Sequence, residues 1–246
     1  MRRDTKTFVF KIKNKIIKAP ISFGAYKEMQ REKLVVKRAE NDPHFFQYIL
    51  KYKYFLGTSI TPYSRPFNNK TDEELIEKYF KKLFADKKKW INKKLKYLLR
   101  AEVFLNFIKK NVSEDYDFWK KFLNYSQMPQ SSIHGDFHQD NILVRDNQLY
   151  FIDWSRFKNK ASRYFDLIDY CLQSDSKSWM ALWLDQANRG FDKKIYGIEV
   201  SAKQWLAYAV WKTADEIFIL KLRSKFSQHK KEKYLNFVKK LMNYFT

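Results

Sequence analysis

The chain has 246 residues, 45% hydrophobic and 18% aromatic, with only five Gly and five Pro. That composition fits one large domain or two small lobes with a substantial core, and excludes both a disordered chain and a turn-rich all-β repeat protein. The net charge is +22, concentrated in the first 130 residues, where 30 Lys and Arg face 14 Asp and Glu; such an excess attracts polyanions without naming one.

The elements follow in order. Lys6–Ser22 reads as a hairpin joined by Asn14-Lys15, and Ala25–Asn41 as a helix closed by Asn41 and Pro43. Phe45–Ser64, broken at Gly57, reads as two more strands. A helix start follows, with Thr71 as N-cap and Glu74 completing a capping box, and the helical pattern continues to about Lys110. A further helix spans about Glu114–Tyr125. After a loop and a short hairpin, everything beyond Tyr164 reads as helical. The expected fold class is α+β in two lobes: residues 1–66 form a small antiparallel β lobe with one helix, and residues 67–246 a larger, mostly helical lobe. Cys171 excludes an intrachain disulfide and reads as a small core residue. No apolar run reaches the roughly 20 residues of a membrane span. The basic N-terminus lacks a signal-peptide core, so a cytoplasmic protein is expected.

The chemistry concentrates in "IHGDFHQDNILV", Ile133–Val144. A zinc site would need more Cys or His than His44 and His229 supply at ligand spacing. A serine or cysteine hydrolase would need a nucleophile elbow or a Cys–His pairing that the chain lacks. Phosphoryl transfer fits. His134, then Asp136, then four residues and Asn141 follow the kinase catalytic-loop spacing, and twelve residues later Asp153 ends an apolar strand. An attacking hydroxyl needs a proton acceptor, the role of Asp136, with His134 supporting the loop. Nucleotide phosphates need Mg²⁺, a hard ion suited to the Asn141 amide oxygen and the Asp153 carboxylate. A hairpin with Asp146-Asn147 as its turn, Ile142–Val144 against Leu149–Ile152, brings these two towards one point.

The run "HGDFHQDNILV…LYFIDWS" resembles the aminoglycoside phosphotransferase and choline kinase group of the protein-kinase-like fold, over about Ile133–Tyr170. In "RYFDLIDY", Asp166 corresponds to the acid that braces the catalytic loop in that group. The resemblance implies ATP and Mg²⁺ as cofactors. It also implies a strand lysine paired to a helix glutamate, for which Lys18 with Glu28 is favoured, Glu32 being the alternative acid and Lys15 and Lys11 competing lysines. It further implies a hinge near Thr61–Ser64 that meets the base. No Gly-rich phosphate loop precedes the hairpin, a departure from the group's pattern.

Charge bears on the acceptor. Polycationic aminoglycosides are disfavoured by a +22 protein. An anionic, hydroxyl-bearing acceptor suits it; the resemblance to small basic bacterial kinases of this fold implies a glycan or glycolipid of the lipopolysaccharide type, and the group also admits choline, ethanolamine or a free sugar. A lysine-laden helix, Lys81–Arg100, is suited to peripheral contact with an anionic membrane face. No specific nucleic acid is expected. A basic binding module on an inactive kinase fold is the reading from another class.

Overall fold

The computed structural model describes residues 7–55, 57–85, 90–98, 100–174 and 176–244. The residues preceding Thr7, where a phosphate loop was sought, lie outside them. The chain divides into two compact units: Met1–Leu83 with His134–Lys158, and Phe84–Ile133 with Asn159–Thr246. This grouping differs from a cut at 66/67, because the loop and hairpin after Ile133 join the N-terminal strands through sheet pairing.

In the first unit, strands Thr7–Ile12, Lys15–Pro20, Thr58–Pro62 and Lys53–Phe55 form an antiparallel sheet in that spatial order. Ile12 pairs with Lys15, so the turn is Lys13-Asn14, one residue earlier than the sequence suggested, with Lys13 at φ 51°. Helix Phe23–Glu40 follows. The Ser22 hydroxyl accepts the Ala25 N–H at 3.2 Å, Asn41 closes the other end, and Met29, Val36 and Ala39 make its buried stripe. A second sheet holds Gln148–Phe151, Ile142–Arg145 and Arg65–Pro66. Its hairpin has the expected register, Val144 opposite Leu149. Asp146 and Asn147 both have positive φ, 52° and 57°, the turn whose twist matches that of the strands and which Asp and Asn tolerate. Under the hairpin lies an aromatic core. Phe137 stacks on Tyr79 at 5.5 Å and meets Phe151 edge-on at 4.8 Å, and Phe45 packs on Trp154 at 5.2 Å. Each such ring stabilises the fold by about 1.5–3 kcal/mol through burial.

The long helix begins at Asn69 rather than at a Thr71 cap. Asn68 Oδ1 accepts from Lys70 N at 2.9 Å, while Asp72 accepts from Asn68 N at 2.9 Å and from both Arg65 guanidinium nitrogens at 2.6 Å. Asp72 wins over the Thr71–Glu74 box because its carboxylate gathers backbone and guanidinium donors together. The Arg65 guanidinium holds the Asp72 carboxyl below the usual carboxylate range, with the backbone bond adding to it against burial. A depressed folded pKa stabilises above the unfolded value near 4 and is lost as pH falls through the folded one. Urea titrations at pH 6 and pH 3 are expected to show a smaller pH-dependent loss of stability in Asp72→Asn than in the wild type; equal losses would refute the linkage.

In the second unit, strand Asn92–Lys94 pairs with Gln127–Pro129. The stretch Lys81–Arg100 is therefore not one helix: the first helix ends at Ala85, residues 86–89 lie outside the described residues, and a strand and the short helix Leu95–Leu98 follow. Cross-strand pairing overrode the helical spacing. Helices Ala101–Asn111 and Tyr116–Tyr125 precede strand Ser131–Ile133. Tyr164–Cys171, Trp179–Asn188, Ala202–Leu222 and Gln228–Met242 match the helical expectation, interrupted by a missed hairpin of Lys194–Ile195 and Ile198–Glu199. Ala202–Leu222 is buried nearly all round, with Trp205, Tyr208 and Trp211 in the core and Trp211 stacked on Phe165 at 5.0 Å. It starts at a capping box of Ser201 and Gln204. Burial pushes the Cys171 thiol up to about 11, which keeps it protonated and unreactive at neutral pH. No helix among the described residues is long and apolar enough to cross a membrane.

Candidate active site

The motif residues His134, Asp136, Asn141 and Asp153 all fall in the first unit. The loop after Ile133 is tied to the end of the hairpin by two bonds on one residue. Ile152 N–H donates to the Asn141 carbonyl at 2.9 Å, and the Ile152 carbonyl accepts from His134 Nε2 at 2.8 Å. A carbonyl can only accept, so His134 carries its proton on Nε2. His134 is fully buried, its ring 4.6 Å from that of Trp154. Burial lowers its pKa, against the pull of Asp136, so the ring is neutral. His134 is thus a positioning residue of the loop.

The clamp sets the chemistry-bearing side chains. The Asn141 Nδ2 donates to the Asp136 carbonyl at 2.8 Å and to His138 Nε2 at 3.0 Å. An amide nitrogen can only donate, so His138 Nε2 is unprotonated and the Asn141 oxygen is turned to the other side. Asp153 is left-handed, φ 60° and ψ 58°, a conformation that Asp tolerates better than most residues and that is typical of strained functional positions. Asn141 Oδ1 and the Asp153 carboxylate are hard oxygen donors on two locked segments. Mg²⁺ takes one or two protein ligands and completes its shell with phosphate and water, so this pair fits the ion. When bound, Mg²⁺ would neutralise phosphate charge there.

Asp136 is 17% exposed. Arg156 Nη1 lies 3.6 Å from its Oδ1 and His138 Nε2 3.9 Å from its Oδ2. Gly135, at φ +83°, lies so close to the Arg156 backbone that an added Cβ would sit 2.4 Å from the Arg156 carbonyl oxygen.

In the four-stranded sheet, Lys18 pairs with Glu32, not Glu28: Nζ to Oε2 is 2.8 Å. Glu28 is exposed. Both acids share a helix face, but Glu32 falls between the buried Met29 and Val36 and so meets the sheet. Helix Phe23–Glu40 also packs on the turn Trp154–Arg156 that follows Asp153. Tyr52, which no motif marked, lies close enough to Glu32 and Asp153 for both to matter. Burial pushes its phenol well up, and Glu32, Tyr54 and Asp153 add to this. Only an aromatic residue in a β-rich run signalled it. Thr61 lies in the sheet opposite Ile16, and the Tyr63 N–H donates to the Asn14 carbonyl at 2.8 Å, so that donor is not available to a base. Asp166 is 1% exposed in the first turn of Tyr164–Cys171, in the second unit. Glu32→Ala is expected to raise the KM for nucleotide by about tenfold, the effect of losing ~1.4 kcal/mol of binding, while Glu28→Ala leaves it unchanged; initial rates against nucleotide concentration check both.

This is a protein-kinase-like fold with the loop, hairpin and strand lysine of a phosphotransferase. The model of the phosphotransferase enzyme family (APH) matches residues 61–195; the chain belongs to that family, and the protein is a kinase. No curated protein matches its sequence. Among solved structures it is similar to choline kinase LicA from Streptococcus pneumoniae, at 15% identity and TM-score 0.56 over 99% of this chain and 92% of that one. It is also similar to the ADP-bound aminoglycoside phosphotransferase APH(2'')-Ib, at 15% identity and TM-score 0.52 over 96% and 91%. At these identities the likeness is one of fold.

Proposed function

We propose that the protein transfers the γ-phosphate of ATP, with Mg²⁺, to a hydroxyl of a sugar in an anionic surface glycan or lipopolysaccharide-type acceptor. The observation that supports the phosphotransfer reading is the double clamp on Ile152, the residue before Asp153, which ties it to the loop that carries Asp136 and Asn141. Asp136 receives the proton of the attacking hydroxyl. Asn141 and Asp153 present oxygens to the ion that holds the phosphates. Lys18, fixed by Glu32, meets the nucleotide phosphates. The ADP, ATP and AMP complexes among the similar folds support ATP as donor. The assembled constellation speaks against an inactive binding module.

The net charge of +22 supports an anionic acceptor through its long-range field. The amphipathic-helix argument for membrane contact does not survive the strand at Asn92–Lys94, which leaves net charge as its support. The test is transfer from γ-labelled ATP in parallel to lipopolysaccharide, choline, ethanolamine and free hexoses. Label in the lipopolysaccharide is the expected result; label in choline alone would replace it with the small-molecule reading. The same preparation should show a thermal shift with ATP and Mg²⁺ that vanishes in Asp153→Ala. An unchanged shift in that variant would remove Asp153 from the metal role.

A further inference from the structure

We infer that the outer face of the four-stranded sheet is a docking surface for an anionic lipid bilayer. Where the chain sits is a separate matter from what it transfers, so the inference stands apart from the phosphotransfer reading. Side chains alternate along a strand, and the strand register sorts them into two faces. Val9, Lys18, Ser59 and Tyr54 form one row across the four strands. That row belongs to the face on which helix Phe23–Glu40 packs, since Glu32 of the helix pairs with Lys18. The next row is Phe10, Ile17, Ile60 and Lys53, and it points the other way. By the same alternation Phe8 and Ile12 flank Phe10 on this outer face, and Phe55 follows Lys53.

The outer face is open among the described residues. Phe8 is 63% exposed, Phe10 44%, Ile12 51% and Phe55 68%. Ile17 and Ile60 are only partly buried. A monomeric protein seldom leaves a contiguous apolar patch of this kind uncovered unless it meets a partner.

Charge selects the partner. The four strands hold Lys11, Lys15, Lys18 and Lys53 and no Asp or Glu. Lys15, two residues from Ile17, and Lys53, opposite Ile60, stand on the outer face among the apolar side chains. Lys13 is exposed in the turn at the end of the hairpin. A second copy would offer the same surface to itself and set lysine against lysine. An anionic bilayer answers both features of the face. Its boundary between headgroups and acyl chains accepts the rings and aliphatic side chains. Its phosphates attract the lysine heads, whose stems lie along apolar surface.

The test uses the full chain without nucleotide. It is centrifuged with vesicles of phosphatidylcholine and phosphatidylglycerol, and separately with vesicles of phosphatidylcholine alone. The wild type is expected to sediment with the first and to stay in solution with the second. Phe8→Ser with Phe10→Ser should lower the partition coefficient by about tenfold per ring, for the burial that each ring forgoes. Lys15→Gln with Lys53→Gln should lower it by about fivefold per charge, the contribution of one basic residue at an anionic surface. The lysine pair keeps the test decisive if the phenylalanine pair fails to fold. Leu34→Ser, on the helix that packs against the other face, removes a side chain that is 60% exposed and should change nothing. Wild-type binding by both pairs would overturn the inference. So would equal binding to neutral and anionic vesicles, or an equal loss in Leu34→Ser. A wild type that ignores both vesicles would overturn it in favour of a protein occupant. That occupant is a second copy if sedimentation velocity shows a dimer that the phenylalanine pair dissolves, and an acidic partner protein if it shows a monomer. Failure of the kinase reading, seen as a missing thermal shift with ATP and Mg²⁺, would leave vesicle binding as it is.

Discussion

Asp136→Asn is expected to fold as the wild type does and to lose about 10²–10⁴-fold in phosphoryl transfer, the contribution of a positioned general base. The bond that ties this residue to the Asn141 amide uses the Asp136 main-chain carbonyl, which accepts from Asn141 Nδ2. The substitution leaves that bond in place. It replaces a carboxylate oxygen beside Arg156 with an amide of the same shape that accepts no proton. The clamp on Ile152, made by His134 and the Asn141 main chain, is also untouched. Transfer from γ-labelled ATP and a melting curve read the two halves of the prediction. Normal turnover would remove Asp136 from the reaction, and a large drop in Tm would mean that its carboxylate carries structure.

Gly135→Ala is the substitution expected to damage the fold most. Two penalties act together. A left-handed conformation costs a non-glycine residue about 1–2 kcal/mol. The new Cβ would also lie 2.4 Å from the Arg156 carbonyl oxygen and 3.1 Å from its carbon. The obstruction is backbone, which no side-chain rotamer can relieve, and forced overpacking of this kind costs about 1–3 kcal/mol more. Gly190 and Gly197 are the controls. Both have positive φ, and an added Cβ would meet nothing within 4 Å at either, so Gly197→Ala should show the backbone cost alone. Urea titration of the two variants separates the terms. A Gly135→Ala no less stable than Gly197→Ala would mean that the loop does not press on Arg156. Reduced activity should accompany the loss, because Gly135 lies between His134 and Asp136 in the loop.

The legible parts of this protein were those set within a few residues of one another. The loop spacing, the hairpin register and the Asp146-Asn147 turn follow from backbone geometry and local side-chain chemistry. So do the helix end at Asn41 and the periodicity of the helices beyond Tyr164. Errors came where a distant segment intervened. Helical spacing between Lys81 and Arg100 gave way to pairing with Gln127–Pro129. The Thr71 cap yielded to Asp72, once Arg65 approached it from the preceding strand.

His134 shows the same limit within the motif. The sequence marked it as loop support, and only the structure showed what it grips, the Ile152 carbonyl, and its burial against Trp154. The choice between Glu28 and Glu32 needed the helix to be seated on the sheet, since an interval of four residues leaves both on one face. Tyr52 belongs to no motif; it enters because a segment far from Asp153 in sequence lies near it. By itself, then, the sequence determined the reaction type, because Asp136, Asn141 and Asp153 lie on a short loop and hairpin whose geometry is local. Tertiary structure alone decided which glutamate holds Lys18, which carbonyl His134 grips and that Arg156 stands beside Asp136, because each of those depends on how separate elements pack and what they bury between them.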